Sequence, residues 1–172
     1  MRQILIFVGL LSLIWAGCTA EREQNIPELP YIHSDDPVEA GRYLVVIGGC
    51  NDCHTDGYLM AEGKIPEEDW LIGSSVGWQG PWGTTYASNL RLRVQEWTEE
   101  QWVQTLRSRT GLPPMPWVNV NQMNERDMRA MYTYIKSLGP KGEHTPMAIA
   151  PGQIPTTPYL SLFPQNFATS CC

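Results

Sequence analysis

The chain has 172 residues, 42% of them hydrophobic and 17% charged, with a formal net charge of −6 and a pI near 5.0. That length suits one compact domain with appendages; the composition excludes wholesale disorder, and the acidic balance without a basic face excludes a nucleic-acid binder. Two counts stand out: seven Trp, each a flat apolar surface needing cover, and 14 Pro, six of them after residue 139.

Residues 1–17 read as a signal peptide: Arg2, an apolar run from Ile4 to Trp15, then small Ala16 and Gly17. The run is shorter than the ~20 apolar residues that span a bilayer. Small-small-Cys at its end resembles a bacterial lipoprotein signal, which implies that Cys18 is acylated and holds the mature chain to a membrane surface. Residues 18–35, polar and broken by Pro27 and Pro30, are then a tether. The globular part is expected on the periplasmic side of a bacterial membrane. A soluble periplasmic protein and an uncleaved N-terminal anchor are the alternatives.

Asp36 before Pro37 is a cap and first-turn signal for a helix that continues through Ile47 and stops at Gly48-Gly49. Immediately afterwards comes Cys50-Asn51-Asp52-Cys53-His54, the attachment pattern of c-type haem. Two thiols at this spacing add across the two vinyl groups of one porphyrin edge, and the adjacent His is carried under the iron as proximal ligand. Zinc is the first rival, but it wants four ligands, and beyond this cluster only His33 and His144 are on offer, both in flanking segments. A CxxC disulfide is the second.

A Trp- and Gly-rich segment follows, from Gly77 to Leu90. Trp78, Trp82, Tyr86, Ser88, Asn89 and Arg91 combine flat aromatics with hydrogen-bond donors, the two things needed to cover a haem edge that ends in propionates. Trp82, Tyr86, Asn89 and Arg91 are the expected cofactor-binding members; an aromatic loop that binds a partner is the competing reading. Arg93, Arg107 and Arg109 form either a solvated face or a docking patch for an acidic redox partner.

Thr98 with Gln101 three residues later is a capping box, opening a helix that carries Trp102 and Leu106 and ends at Thr110-Gly111. Beyond it lies Leu112-Pro113-Pro114-Met115-Pro116-Trp117. Three Pro around one Met forbid helix and stiffen the loop, a setting that presents a thioether to a metal, so Met115 is the expected sixth ligand and Met123 the fallback. Asn124 starts a third helix, with Met128, Met131, Tyr132, Ile135 and Leu138 at three- and four-residue spacing before Gly139-Pro140. The Pro-rich tail, 141–172, reads as an extended strap covering apolar surface with Ile149, Ile154, Tyr159, Leu162 and Phe163. Cys171 and Cys172 at its end either pair or fray.

With CxxCH after the first helix, a late Met loop and a final amphipathic helix, residues 36–140 resemble a class I c-type cytochrome with one haem. The resemblance implies an all-α fold, a small helical domain wrapped around one covalent haem c, with the Pro-rich tail outside it. It also implies that a small residue in the first helix admits the last, packed by an aromatic; Gly41 and Tyr132 are the matching positions. The Trp-Gly segment and Pro114-Met115-Pro116-Trp117 are similar to haem modules in cytochrome subunits of membrane-bound alcohol and sugar-acid dehydrogenases. Those relatives carry several haems, and this chain has one CxxCH. The expected function is single-electron transfer with His54 and Met115 on the iron, no catalysis by the chain itself, and a dehydrogenase or another cytochrome or oxidase as partner. A haem enzyme or ligand sensor with an open sixth position is the alternative.

Overall fold

The computed structural model describes residues 31–164, so the signal, Cys18, most of the tether and the Cys171–Cys172 pair lie outside the described residues. Among the described residues six α-helices and three short strands follow in chain order, α1 (Pro37–Ile47), α2 (Cys50–His54), β1 (Gly77–Gly80), β2 (Gly83–Thr85), α3 (Leu90–Glu96), α4 (Glu99–Ser108), α5 (Trp117–Val120), α6 (Glu125–Ser137) and β3 (Tyr159–Ser161), with one 3-10 turn at Glu67–Asp69.

The helix ends obey local chemistry. Asp36 accepts from the Val38 amide with Pro37 in the first turn, and Thr98 and Gln101 close the capping box in both directions. Asn124 caps α6. The dominant packing is α1 against α6, and Gly41 makes it possible. A Cβ there would overlap the Ala130 carbonyl oxygen and lie 2.7 Å from the Tyr134 Cβ. The aromatic at this crossing is therefore Tyr134, which is 2% exposed. Tyr132, the expected partner, points elsewhere: its ring lies 6.3 Å from that of Trp102, and its hydroxyl donates to the Trp97 carbonyl at 3.0 Å. Around the crossing sit Ala40, Leu44, Val45, Val103, Leu106, Met128, Met131 and Ile135, all buried.

The fold is not all-α. β1 and β2 pair antiparallel, with Gly80 opposite Gly83 across Pro81-Trp82, and β3 adds in parallel on the other side of β1. The third strand comes from the Pro-rich tail. A zipper of contacts fixes that tail to residues 77–91. Thr84 exchanges both backbone bonds with Ile149 at 2.9 Å, Gly77 donates to the Pro158 carbonyl, and the Tyr86 and Thr157 hydroxyls meet at 2.8 Å. The tail thus binds mainly through its backbone; of the side chains expected to cover apolar surface Ile149 is half-buried, whereas Ile154 is 80% exposed, Tyr159 42% and Leu162 37%. Among the described residues no helix is long and apolar enough to cross a membrane.

Gly41→Val should lower the stability of the folded chain by about 3 kcal/mol or more, because backbone on the facing helix cannot yield as a side chain would. Chemical unfolding followed by helical circular dichroism measures it; a loss below about 1 kcal/mol would mean the two helices are not in this contact.

Candidate functional site

The site begins where α1 stops. The Gly48 amide closes α1 onto the Leu44 carbonyl, and Gly49 turns the chain at φ 65°, a left-handed geometry that suits glycine. One further turn, α2, carries Cys50, Cys53 and His54 together. Both thiols are free and half-buried. Burial pushes the Cys50 thiol up to about 11, with Asp52 adding to the effect, and moves Cys53 in the same direction.

His54 is fixed from two sides. Its carbonyl accepts from the Gly73 amide at 2.7 Å, and its Nδ1 lies 2.7 Å from the Ser88 carbonyl oxygen. A carbonyl only accepts, so Nδ1 carries the proton and Nε2 keeps its lone pair. Burial pulls the His54 pKa down, outweighing the opposing pull of the Ser88 bond, and so favours the neutral ring. Gly73 is needed for this register. A Cβ there would lie 2.8 Å from both the Ala87 carbonyl oxygen and the Asn89 amide nitrogen. Thr55 completes the support, donating to Asn51 Oδ1 at 2.7 Å and accepting from the Leu71 amide at 2.8 Å.

Met115 occupies the loop between α4 and α5 and is half-buried outside the main core, whereas Met123 packs against that core and Met128 and Met131 are inside it. The base of the loop is closed by the Asn121 side-chain amide, which donates to the Leu106 carbonyl at 2.6 Å, and by the Trp117 amide donating to the Met115 carbonyl. The Arg109 guanidinium stacks 4.9 Å above the Trp117 ring.

The four expected cofactor-covering residues divide. Asn89 caps α3 and donates to the Lys141 and Glu143 carbonyls. Arg91, 5% exposed, donates to the Glu68, Leu138 and Gly139 carbonyls. The Tyr86 hydroxyl is taken by Thr157. The donors set aside for propionates thus fasten the chain itself, a role that sequence reasoning missed because most of their partners lie about fifty or more residues away along the chain. Trp82 differs. Its Nε1–H is buried with no partner, as is the Thr84 hydroxyl, and Gly80 makes room for its ring. A buried donor left without an acceptor is costly, so this N–H fits an acceptor that the described residues do not supply, such as a carboxylate. Among the described residues no group of three or more His, Cys, Asp or Glu side chains is placed to hold a metal ion.

Comparison with known proteins follows the same direction. The chain is 26% identical over 119 residues to a nicotinate dehydrogenase subunit of Pseudomonas putida, covering 63% of this chain and 9% of that protein. It is 28% identical over 142 residues to the gluconate 2-dehydrogenase cytochrome c subunit of Pantoea cypripedii, covering 74% of this chain and 32% of that one. This chain therefore spans under a third of either relative's length. No protein-family profile matches it, and no solved structure matches at a significant level. The chain is similar to parts of dehydrogenase subunits, one of them named a cytochrome c subunit.

Arg91→Met should cost about 3 kcal/mol of stability by leaving buried carbonyls without donors, and should speed protease cutting between residues 138 and 145. Unchanged denaturation and cleavage would show that Arg91 does not hold the C-terminal end of α6 at Leu138 and Gly139.

Proposed function

We propose that this chain is an exported electron carrier that holds one covalent haem c at Cys50, Cys53 and His54. The observation that carries the reading is the His54 ring, neutral, buried and pinned through Nδ1 to Ser88 with Nε2 left over, on the same helical turn as two free thiols. The motif chemistry needs that combination. The thiols would form the two thioether bonds, His54 Nε2 and the Met115 sulfur would hold the iron, and Trp82 Nε1 would donate to a propionate.

Bound there, the haem would supply a reversible one-electron change at iron. The protein's own part is to hold that change in place. Ser88 sets the tautomer and orientation of His54, and the Pro-rich loop holds a soft thioether ligand, which favours the reduced iron and raises the potential. Tyr86 and Asn89 act at one remove, by keeping the segment that carries Trp82 fastened to the tail, and Arg91 by tying it to Glu68 and to the end of α6. In this reading the chain carries electrons and is not itself an enzyme. Its similarity to dehydrogenase subunits supports a dehydrogenase, or a cytochrome or oxidase beyond it, as the redox partner. Acylation at Cys18 would hold it to the periplasmic face of a membrane.

Expression alongside a haem-attachment system tests the reading. The denatured protein should keep its haem colour, and Cys50→Ala should leave a single thioether bond, visible as a shifted pyridine–haem spectrum. The oxidised protein should show the weak long-wavelength band of thioether-bound ferric iron. Met115→Ala should keep the haem, lose that band and lower the potential by on the order of 100 mV. A protein that loses its colour on denaturation refutes haem attachment, and a high-spin spectrum in the unmutated protein would make it a ligand-binding haem protein.

A further inference from the structure

The Met115 loop has an unusual anchoring problem. Pro113, Pro114 and Pro116 have no amide hydrogen, so this stretch can be tied to the rest of the fold chiefly through its carbonyl oxygens. A donor must come from elsewhere. The Thr85 hydroxyl, on the last residue of β2, donates to the Pro113 carbonyl at 2.6 Å. Among the described residues this is the one hydrogen bond joining 110–116 to any element other than its own flanking helices.

The position of Thr85 gives that bond a second meaning. Three residues further on, the Ser88 carbonyl receives His54 Nδ1. A single stretch of four residues, 85–88, therefore touches one expected ligand and the loop that carries the other: it orients the His54 ring and tethers the Pro113 carbonyl, two residues before Met115. Its own position is held, because Thr84 exchanges both backbone bonds with Ile149 and the Tyr86 hydroxyl meets Thr157.

We propose that Thr85 is a positioning residue for the sixth ligand: its hydroxyl holds the Pro113 carbonyl, two residues before Met115, and so keeps the thioether in reach of the site against exchange with other ligands. This rests on the assignment of Met115 as a haem ligand. The side chain acts only through the loop.

The test uses the full haem-loaded chain with Thr85→Val, which keeps the branched shape and removes the donor, and Thr85→Ser, which restores it. Imidazole is the competing ligand. Thr85→Val should bind imidazole about three- to tenfold more tightly than the unmutated protein, the range that one hydrogen bond commands. It should also lose the thioether band at a lower alkaline pH while keeping covalent haem. Thr85→Ser should return both readouts to the unmutated values. If Thr85→Val matches the unmutated protein in imidazole affinity and alkaline midpoint, or if Thr85→Ser fails to restore them, the positioning role is overturned while Met115 ligation stands. If the unmutated protein lacks the thioether band, the ligand assignment falls and the role of Thr85 falls with it.

Discussion

The close approach of α1 and α6 at Gly41 is the constraint on which the rest depends. With no side chain on Gly41, the first helix rests on the Ala130 backbone and the Tyr134 Cβ, and the apolar side chains of both helices close around that point. The CxxCH turn is joined to the end of α1 by only Gly48 and Gly49, so whatever fixes α1 also fixes where the thiols and His54 sit. Tyr134 adds a polar anchor, its hydroxyl donating to Glu67, which is also paired with Arg42.

Three helices, their caps and the motif were legible because their signals are local, whereas the short α3 and α5 were not read from the sequence. Asp36-Pro37, the Thr98–Gln101 box and the Asn124 cap each rely on atoms within three residues, and they mark helices that begin where the sequence predicts. The small sheet was not legible. β1 and β2 are three or four residues long and Gly-rich, without an alternating pattern, and β3 pairs with a partner about eighty residues earlier. The same distance hid the work of Asn89 and Arg91. Their residue type announces donors, but nothing in the local sequence says whether the acceptor is a cofactor or a distant carbonyl of the chain. The expectation of Tyr132 rather than Tyr134 fails in a similar way, since both lie on one helix and the crossing angle decides which meets Gly41.

The proposed haem site would draw on two kinds of support. The thiols and His54 ride on a helical turn with its own hydrogen bonds, whereas Met115 sits in a loop that has little backbone hydrogen-bonding capacity and borrows rigidity from its neighbours. Residues 77–91 join the two. They reach the His54 ring through Ser88, the Met115 loop through Thr85 and the tail through Gly77, Thr84, Tyr86 and Asn89, while Arg91 holds the C-terminal end of α6 at Leu138 and Gly139. A segment that looks like cofactor cover in the sequence serves in the fold as a joint between three parts of the chain.

The parallel pairing of β3 with β1 constrains how the chain can be made. The strand that completes the sheet is supplied by residues 159–161, near the end of the described chain, so the nascent polypeptide can assemble its helices long before it can finish the sheet. Until then one edge of β1 has bare amides and carbonyls beside Trp78, the kind of edge that recruits strands from other molecules. The extended, Pro-broken tail pairs that edge and leaves the short β3, flanked by Pro158 and Pro164, as the outer strand. A version of this protein ending before Tyr159 would keep its CxxCH turn and helices, yet be prone to self-association through the strand it exposes.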